Sequence, residues 1–469
     1  MPAPGTSLTK KTKMRDLTQG SIRGHLIAMA MPITIGMLVQ TLYLMVDLYF
    51  VSSIGKEAVA GVAAAGNVTM LVIALTQMLG VGTVTLVSHA LGAKDPAMAS
   101  RVFRQAMLLG IACVVATLAL GVGLAPAYMR GVSADAAIAG AGVTFILWSL
   151  PGLALQFVLA VAGSVLRGAG VVKPGMVVQM ATVGLNIVLA PILIAGWGTH
   201  HPLGVAGAGL ATSLSVAAGV LLLSRYLRQL GNVVSLTGGL GKPDREILGR
   251  MLRIGLPAGG EFLIMVLLNS AIYALIRDFG AAAQAGFGIA GRVMQALAMP
   301  SMAISFAIPA IAGQNFGGRL PERVADTLKQ ALALELVLMA CVVAACQLWA
   351  PVPVHWFTSD PQAIEAGVTV LKVVSWNFFG MGIVFACSGM FQAMGNTLPA
   401  LASSVTRLLT FVLPALWLHQ RAGFQLLDVW HLSVASVFVQ AIVSLVLVRR
   451  QMGTRLGGMA QPVAAAGAS

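Results

Sequence analysis

Charge is what this chain has least of. Asp, Glu, Lys and Arg make up 9% of its 469 residues, against about 25% in a soluble domain. With 58% hydrophobic residues and a mean hydropathy of +0.89, that scarcity excludes a soluble protein with one membrane anchor. It predicts a polytopic membrane protein. The apolar runs do not alternate with period two, which excludes a transmembrane barrel and leaves helices. Cysteine is scarce as well: Cys113, Cys341, Cys346 and Cys387 lie in apolar stretches, with no CxxC and no clustered His. They read as small free hydrophobes rather than metal ligands or disulfides, and no cofactor or metal is expected. Carboxylates well inside the apolar stretches are only Asp47, Glu261 and Glu335. An intramembrane enzyme needs clustered acid, base or metal-binding groups, which this set does not supply. No signal peptide is expected, because the first apolar run is too long and lacks a small-residue cleavage site.

What the chain does have is apolar length. Twelve stretches can be drawn, centred near residues 38, 75, 113, 149, 185, 214, 265, 298, 339, 378, 409 and 439, each with the roughly 20 residues a bilayer crossing requires. The net charge of +14 invites a nucleic-acid partner, but its distribution argues against one. With the N-terminus inside, basic residues collect in alternate segments, from Lys10 to Arg15, Lys94 to Arg104, Arg225 to Arg253 and Arg449 to Arg455. The opposite loops carry only Lys56, Arg130, Arg277 and Arg421. That asymmetry is the positive-inside bias and predicts both termini in the cytoplasm.

A repeat organises the chain. A shift of 225 places Pro32 on Pro257, Ala60-Gly61 on Ala285-Gly286, Gln105-Ala106 on Gln330-Ala331, Asp135 on Asp360, Ala141-Gly142-Val143-Thr144 on Ala366-Gly367-Val368-Thr369, and Pro174 on Pro399. The register holds from Pro32 to Pro174 without a gap. The expected architecture is an all-α polytopic membrane protein with twelve transmembrane helices in two pseudo-symmetric six-helix lobes. Six spans per repeat give both lobes the same orientation, with a substrate site between them. The expected boundaries are a polar tail over 1–20, a first lobe over 21–230, a loop over 231–253, a second lobe over 254–452 and a disordered Gly/Ala-rich tail over 453–469.

The first span carries the candidate site. On one helix Gln40, Tyr43 and Asp47 fall at i, i+3 and i+7, a polar stripe on an apolar cylinder. A carboxylate in hydrocarbon costs several kcal/mol unless it faces protein or water, so Asp47 is a functional candidate. The alternative is a structural pair with a neighbouring helix. Pro32 lies roughly 22 Å below it at 1.5 Å per residue and predisposes the helix to bend. Gln179, Thr182 and Asn186 form a second stripe, facing either a cleft or a neighbouring helix as interhelical glue. Arg292, Lys372 and Arg407 are intramembrane cations, the first two near enough to a span end to snorkel. Met-rich Met294–Met302 suits either a promiscuous pocket or a lipid-facing surface. Glu261 and Arg407 lie at similar depth, so they are candidates for an ion pair.

The order of P-x14-D in the first span, then GVGTVTLVSHALGA (80–93), RGAG (167–170), LNIVLAP (185–191), GAGLAT (207–212), GLPAG (255–259), AGRVMQ (290–295) and AGQNFG (312–317), resembles the MATE (multidrug and toxic compound extrusion) family. The resemblance covers residues 20–450. It implies a two-lobed exporter of small organic, often cationic, compounds in a bacterial inner (plasma) membrane, driven by inward H⁺ or Na⁺ and expected as a monomer. Carried over by position, Asp47, Asn186 and Thr212 correspond to the family's first-lobe ion site. Gln40, Tyr43, Gln179, Thr182, Glu261, Arg292 and Gln295 are assigned to the substrate cleft, and Pro32 to helix bending. The family often has a second Asp four residues after the Asn, where this chain has Ala190. In the second lobe Met265 and Phe379 stand near places where some branches carry acids. The missing carboxylate favours proton over sodium coupling, since sodium needs several oxygens to replace its water shell and a proton needs one base. A lipid-linked precursor flippase is the alternative within transport.

Overall fold

The computed structural model describes residues 15–52, 54–198, 200–229, 239–421 and 423–459; within that range the side chains of residues 42–48 and 229 lie outside the described ones. Residues 1–14 and 460–469 of the expected tails (1–20 and 453–469), and 231–238 of the expected loop (231–253), also lie outside the described residues. The described chain is helical. Helices α1 (Ile22–Ser52), α2 (Lys56–Gly92), α3 (Pro96–Val132), α4 (Ala136–Gly168), α5 (Lys173–Ala195) and α6 (Val205–Gln229) make the first set. The second set is α7 (Arg245–Ile276), α8 (Ala281–Gly317), α9 (Pro321–Trp349), the short α10 (Pro351–His355), α11 (Pro361–Val374), α12 (Asn377–Ala393), α13 (Leu398–His419) and α14 (Leu426–Gly457). Eleven are long and apolar enough to cross a membrane, and α11 with α12, bent by 52°, makes a twelfth. All four cysteines are free.

The shift of 225 reappears as geometry. It carries the ends of α2 onto those of α8, and the start of α4 and its end onto the start of α11 and the end of α12. Asp135 caps α4 by accepting from Ala137 N at 2.7 Å, and Asp360 caps α11 by accepting from Gln362 N at 3.0 Å; such caps satisfy donors that a helix start leaves open. Gly61 lies so close to α4 that a Cβ would stand 2.7 Å from Ile138 O and 2.8 Å from Gly142 N, and at Gly286 a Cβ would stand 2.7 Å from Gly367 N and 3.0 Å from Ala363 O. The two contacts are the same contact, made in each half.

The break between α11 and α12 has a local cause. Gln347 of α9 donates through Nε2 to Lys372 O at 2.7 Å and to Ser375 Oγ at 3.1 Å. With that carbonyl taken, Trp376 N bonds Val373 O at 3.4 Å instead. A side chain inserted into the helical ladder bends it. In α4 the shifted position is Pro151, which has no N–H to give.

By their internal contacts, Leu42–Gly249 fall in one compact unit, and Leu17–Thr41 with the chain from Arg250 onward in the other. The sequence boundary had assigned all of α1 to the first lobe. Three boundaries also move. Residues 17–20 are anchored rather than a free tail: Leu17 is fully buried, its N donates to Gln314 Oε1 at 3.0 Å, and its O accepts from Asn315 Nδ2 at 3.2 Å. Arg323 adds a bond to Gly20 O at 3.1 Å. Helix α7 starts at Arg245, inside the expected loop. The cause is Asp244, whose Oδ1 accepts from Glu246 N at 3.1 Å and Ile247 N at 3.3 Å. The Ile247 N–H, then Arg101 at 3.0 Å, hold this carboxyl below its usual range. Helix α14 runs on to Gly457, five residues into the expected tail.

Candidate functional site

In the first unit, the ends of α1, α5 and α6 meet in an apolar cluster of Val51, Ala190, Ile194 and Ala208, flanked by Phe50, Val59, Val62 and Phe145. Each helix has a polar position one turn from this cluster. Asp47 precedes Val51 by four residues, Asn186 precedes Ala190 by four, and Thr212 follows Ala208 by four. Successive spans alternate in direction, so α1 and α5 run alike and α6 runs against them. Positions 47, 186 and 212 therefore fall on the same side of the cluster, at one level. The tie is in the backbone register; the side chains of Asp47 and Tyr43 lie outside the described ones.

Asn186 is 2% exposed, and neither its Oδ1 nor its Nδ2 has a hydrogen-bond partner among the described residues. A buried amide left open on both sides costs free energy; a site that binds an ion and its ligands at this level would relieve that cost. Thr212 Oγ1 donates to Ala208 O at 3.2 Å. Ala190 is fully buried within the apolar cluster, so the place of the family's second carboxylate is filled by hydrocarbon contacts. Thr182 behaves as interhelical packing: its Oγ1 donates to Val178 O at 2.8 Å, and a Cβ on Gly219 of α6 would stand 2.6 Å from that oxygen. Gln40 and Gln179 are half-buried. Two glycines of GAGLAT are required by close approach, since a Cβ at Gly207 would enter the Leu193 carbonyl and one at Gly209 would stand 2.8 Å from Ser149 N.

In the second unit, Glu261 of α7 is half-buried. Its Oε2 accepts from Ser388 Oγ of α12 at 3.1 Å, and Ser404 of α13 also bonds its carboxylate. Gln440 Nε2 of α14 donates to Ser404 Oγ at 3.3 Å, so four helices converge on one acid. The expected ion pair is not formed. Among the described residues the charge pairs are Arg101–Asp244 and His419–Asp278, and Arg407 keeps a buried Nε without a partner. Equal depth did not bring lateral contact, and hydroxyls took the place of the cation. Ser388 and Ser404 were missed by sequence reasoning, because a lone serine in an apolar helix resembles any other. Arg292, Gln295 and Lys372 are exposed.

A helical membrane transporter made of two equivalent units is the class these features define. The MatE family profile matches residues 32–192 and again residues 257–417, two matches displaced by the same 225. The chain belongs to the MatE family, and it is a transporter rather than an enzyme. Among its relatives is the multidrug export protein MepA of Staphylococcus aureus, 28% identical over 372 residues, covering 78% of this chain and 80% of the relative. A MOP superfamily transporter from Pyrococcus furiosus superposes with a TM-score of 0.88 at 28% identity, covering 95% of this chain and 99% of the other. A multidrug resistance MATE family transporter in an outward-facing conformation gives a TM-score of 0.87 at 27% identity, with the same coverage.

Proposed function

We propose that this protein exports small organic, often cationic, compounds by antiport against protons, working by alternating access in a bacterial plasma membrane with both termini cytoplasmic. Drug export is supported by the likeness to multidrug export proteins over more than three quarters of the chain. Proton coupling rests on one observation: the candidate ion level in the first unit has a single carboxylate position, and the neighbouring turn of α5 is Ala190 packed in hydrocarbon. Sodium gives up its water shell only to several oxygens, and Asp47, Asn186 and Thr212 would supply few and only one charge. A proton needs one base whose affinity differs between the two access states. Proton uptake from outside neutralises Asp47 and weakens its hold on a cation; proton loss inside restores that hold. Competition for one carboxylate is sufficient for coupling, because linkage is reciprocal.

Pro32 sits within α1, in the part of that helix that belongs with the second unit, and serves as its bending point. The export reading is tested by ethidium or norfloxacin accumulation in cells with and without the protein. Lower accumulation in producing cells, abolished by a protonophore, is expected. Equal accumulation for every cationic compound tried would favour the flippase reading instead.

A further inference from the structure

The internal repeat supplies a control for one residue that the proposed coupling does not use. Glu335 of α9 is fully buried. Its Oε2 accepts from Ser301 Oγ of α8 at 2.5 Å, and its Oε1 has no partner among the described residues. On α12 it faces Gly382, where a Cβ would stand 3.3 Å from Glu335 Cβ and 3.4 Å from Oε2. In the first unit the same α3–α4 crossing has the two sizes exchanged: position 110 is Gly and position 157 is Phe, and Phe157 is fully buried. A Cβ on Gly110 would meet Phe157 O and Val161 there. At the Gly110 crossing the nearest side chains are thus the hydrocarbon groups of Val161 and Leu79, whereas the matching place in the second unit holds a carboxyl group.

That comparison removes packing as the reason for the acid. Hydrocarbon fills this crossing in the sister unit, and well-packed apolar groups generally match or exceed buried polar ones in stability. Among the described residues no cation offsets a charge on Glu335. From α8 the only charged side chain is Arg292, and from α11 they are Glu365 and Lys372; all three are exposed. α12 brings one titratable group, the Cys387 thiol, and α9 itself places Glu322, Arg323, Asp326 and Lys329 in its first turns, far along the helix, with the thiols of Cys341 and Cys346 beyond. An ionised carboxyl group so placed would be a buried charge without a partner, and a proton on it removes that cost. Both walls of its compartment have a weakened backbone ladder. Pro300 directly precedes Ser301 in α8, and α12 follows the 52° break.

We infer that Glu335 is a second proton-binding site of the transporter, in the second unit and separate from Asp47. Movement of α8 or α12 admits water to Oε1; the acid then gives its proton to water on one side and takes one back from the other. Nothing is oxidised and no bond other than O–H changes. The inference rests on proton-driven export.

The test is thermodynamic, so it does not depend on how much protein folds. In proteoliposomes with the membrane potential clamped at zero, a pH gradient is imposed and the drug ratio at which net flux vanishes is found. Each coupled proton supports about a tenfold drug ratio per pH unit, because one pH unit is a tenfold concentration ratio. The wild type is expected to balance at about 100-fold per pH unit. Glu335→Gln keeps the shape and a bond to Ser301, and is expected to balance about tenfold lower. Should that variant not insert, Glu335→Gly combined with Gly382→Phe copies the first unit's packing and carries the same expectation. A wild-type balance at one proton, or an unchanged balance in either variant, overturns the second site. A wild type driven by sodium and not by pH overturns the proton reading itself, a separate failure.

Discussion

Cells producing the Asp47→Asn protein are expected to accumulate ethidium to the level of cells lacking the transporter, at unchanged amounts of inserted protein. Asparagine keeps the side-chain length and an oxygen that accepts hydrogen bonds, but it cannot exchange a proton between pH 5 and pH 9. Asp47 is the carboxylate at which drug and proton compete, so without it drug binding is no longer linked to a proton, and a proton carried on Glu335 alone cannot move the drug. The expected effect is therefore loss of uphill transport rather than a graded decline. Downhill exchange of one drug molecule for another remains possible, and its persistence in proteoliposomes would show that the protein is folded. Uphill export at the wild-type rate would make Asp47 a structural residue.

The second large effect lies in the fold. Gly61→Ala and Gly286→Ala each place a Cβ within 2.7 Å of backbone atoms of the facing helix. Alanine in a helix interior gains about 1 kcal/mol over glycine, whereas overpacking costs about 1–3 kcal/mol. The obstacles at Gly61 include the Ile138 carbonyl and the Gly142 amide, and at Gly286 the Gly367 amide. Backbone atoms cannot rotate aside as a side chain does, so the cost wins. Both variants are expected to unfold at lower temperature in detergent. The two sites lie in separate compact units and share no neighbours, so the double variant should lose close to the sum. A raised midpoint in either single variant would contradict the close approach.

The repeat made most of the architecture readable in advance. Span count and the two-lobed repeat follow from apolar length and a fixed shift of 225, which also aligns Asp135 with Asp360, the residues that cap α4 and α11. What stayed hidden depended on contacts between distant segments. The bend before α12 needs Gln347 of α9 to reach Lys372 O, and nothing near Ser375 announces it. Leu17 looks like part of a polar tail until Gln314 and Asn315 are brought beside it. The same holds for the candidate sites. The family resemblance grouped Asp47, Asn186 and Thr212, and only the folded backbone puts those three positions at one level. By contrast, Glu261 found Ser388 and Ser404 rather than Arg407, because depth along a helix carries no information about which face meets which neighbour. Glu335 was visible as a buried acid, but its meaning came only from comparison with Gly110 and Phe157 in the sister unit.

The central claim is that protons drive export through a site with a single carboxylate position in the first unit. The direct measurement is drug efflux from proteoliposomes holding the purified protein, under a sodium gradient at equal pH and, separately, under a pH gradient without sodium. Export under the pH gradient alone is predicted, with none under sodium alone. Export driven by sodium alone, with none driven by the pH gradient, would contradict it.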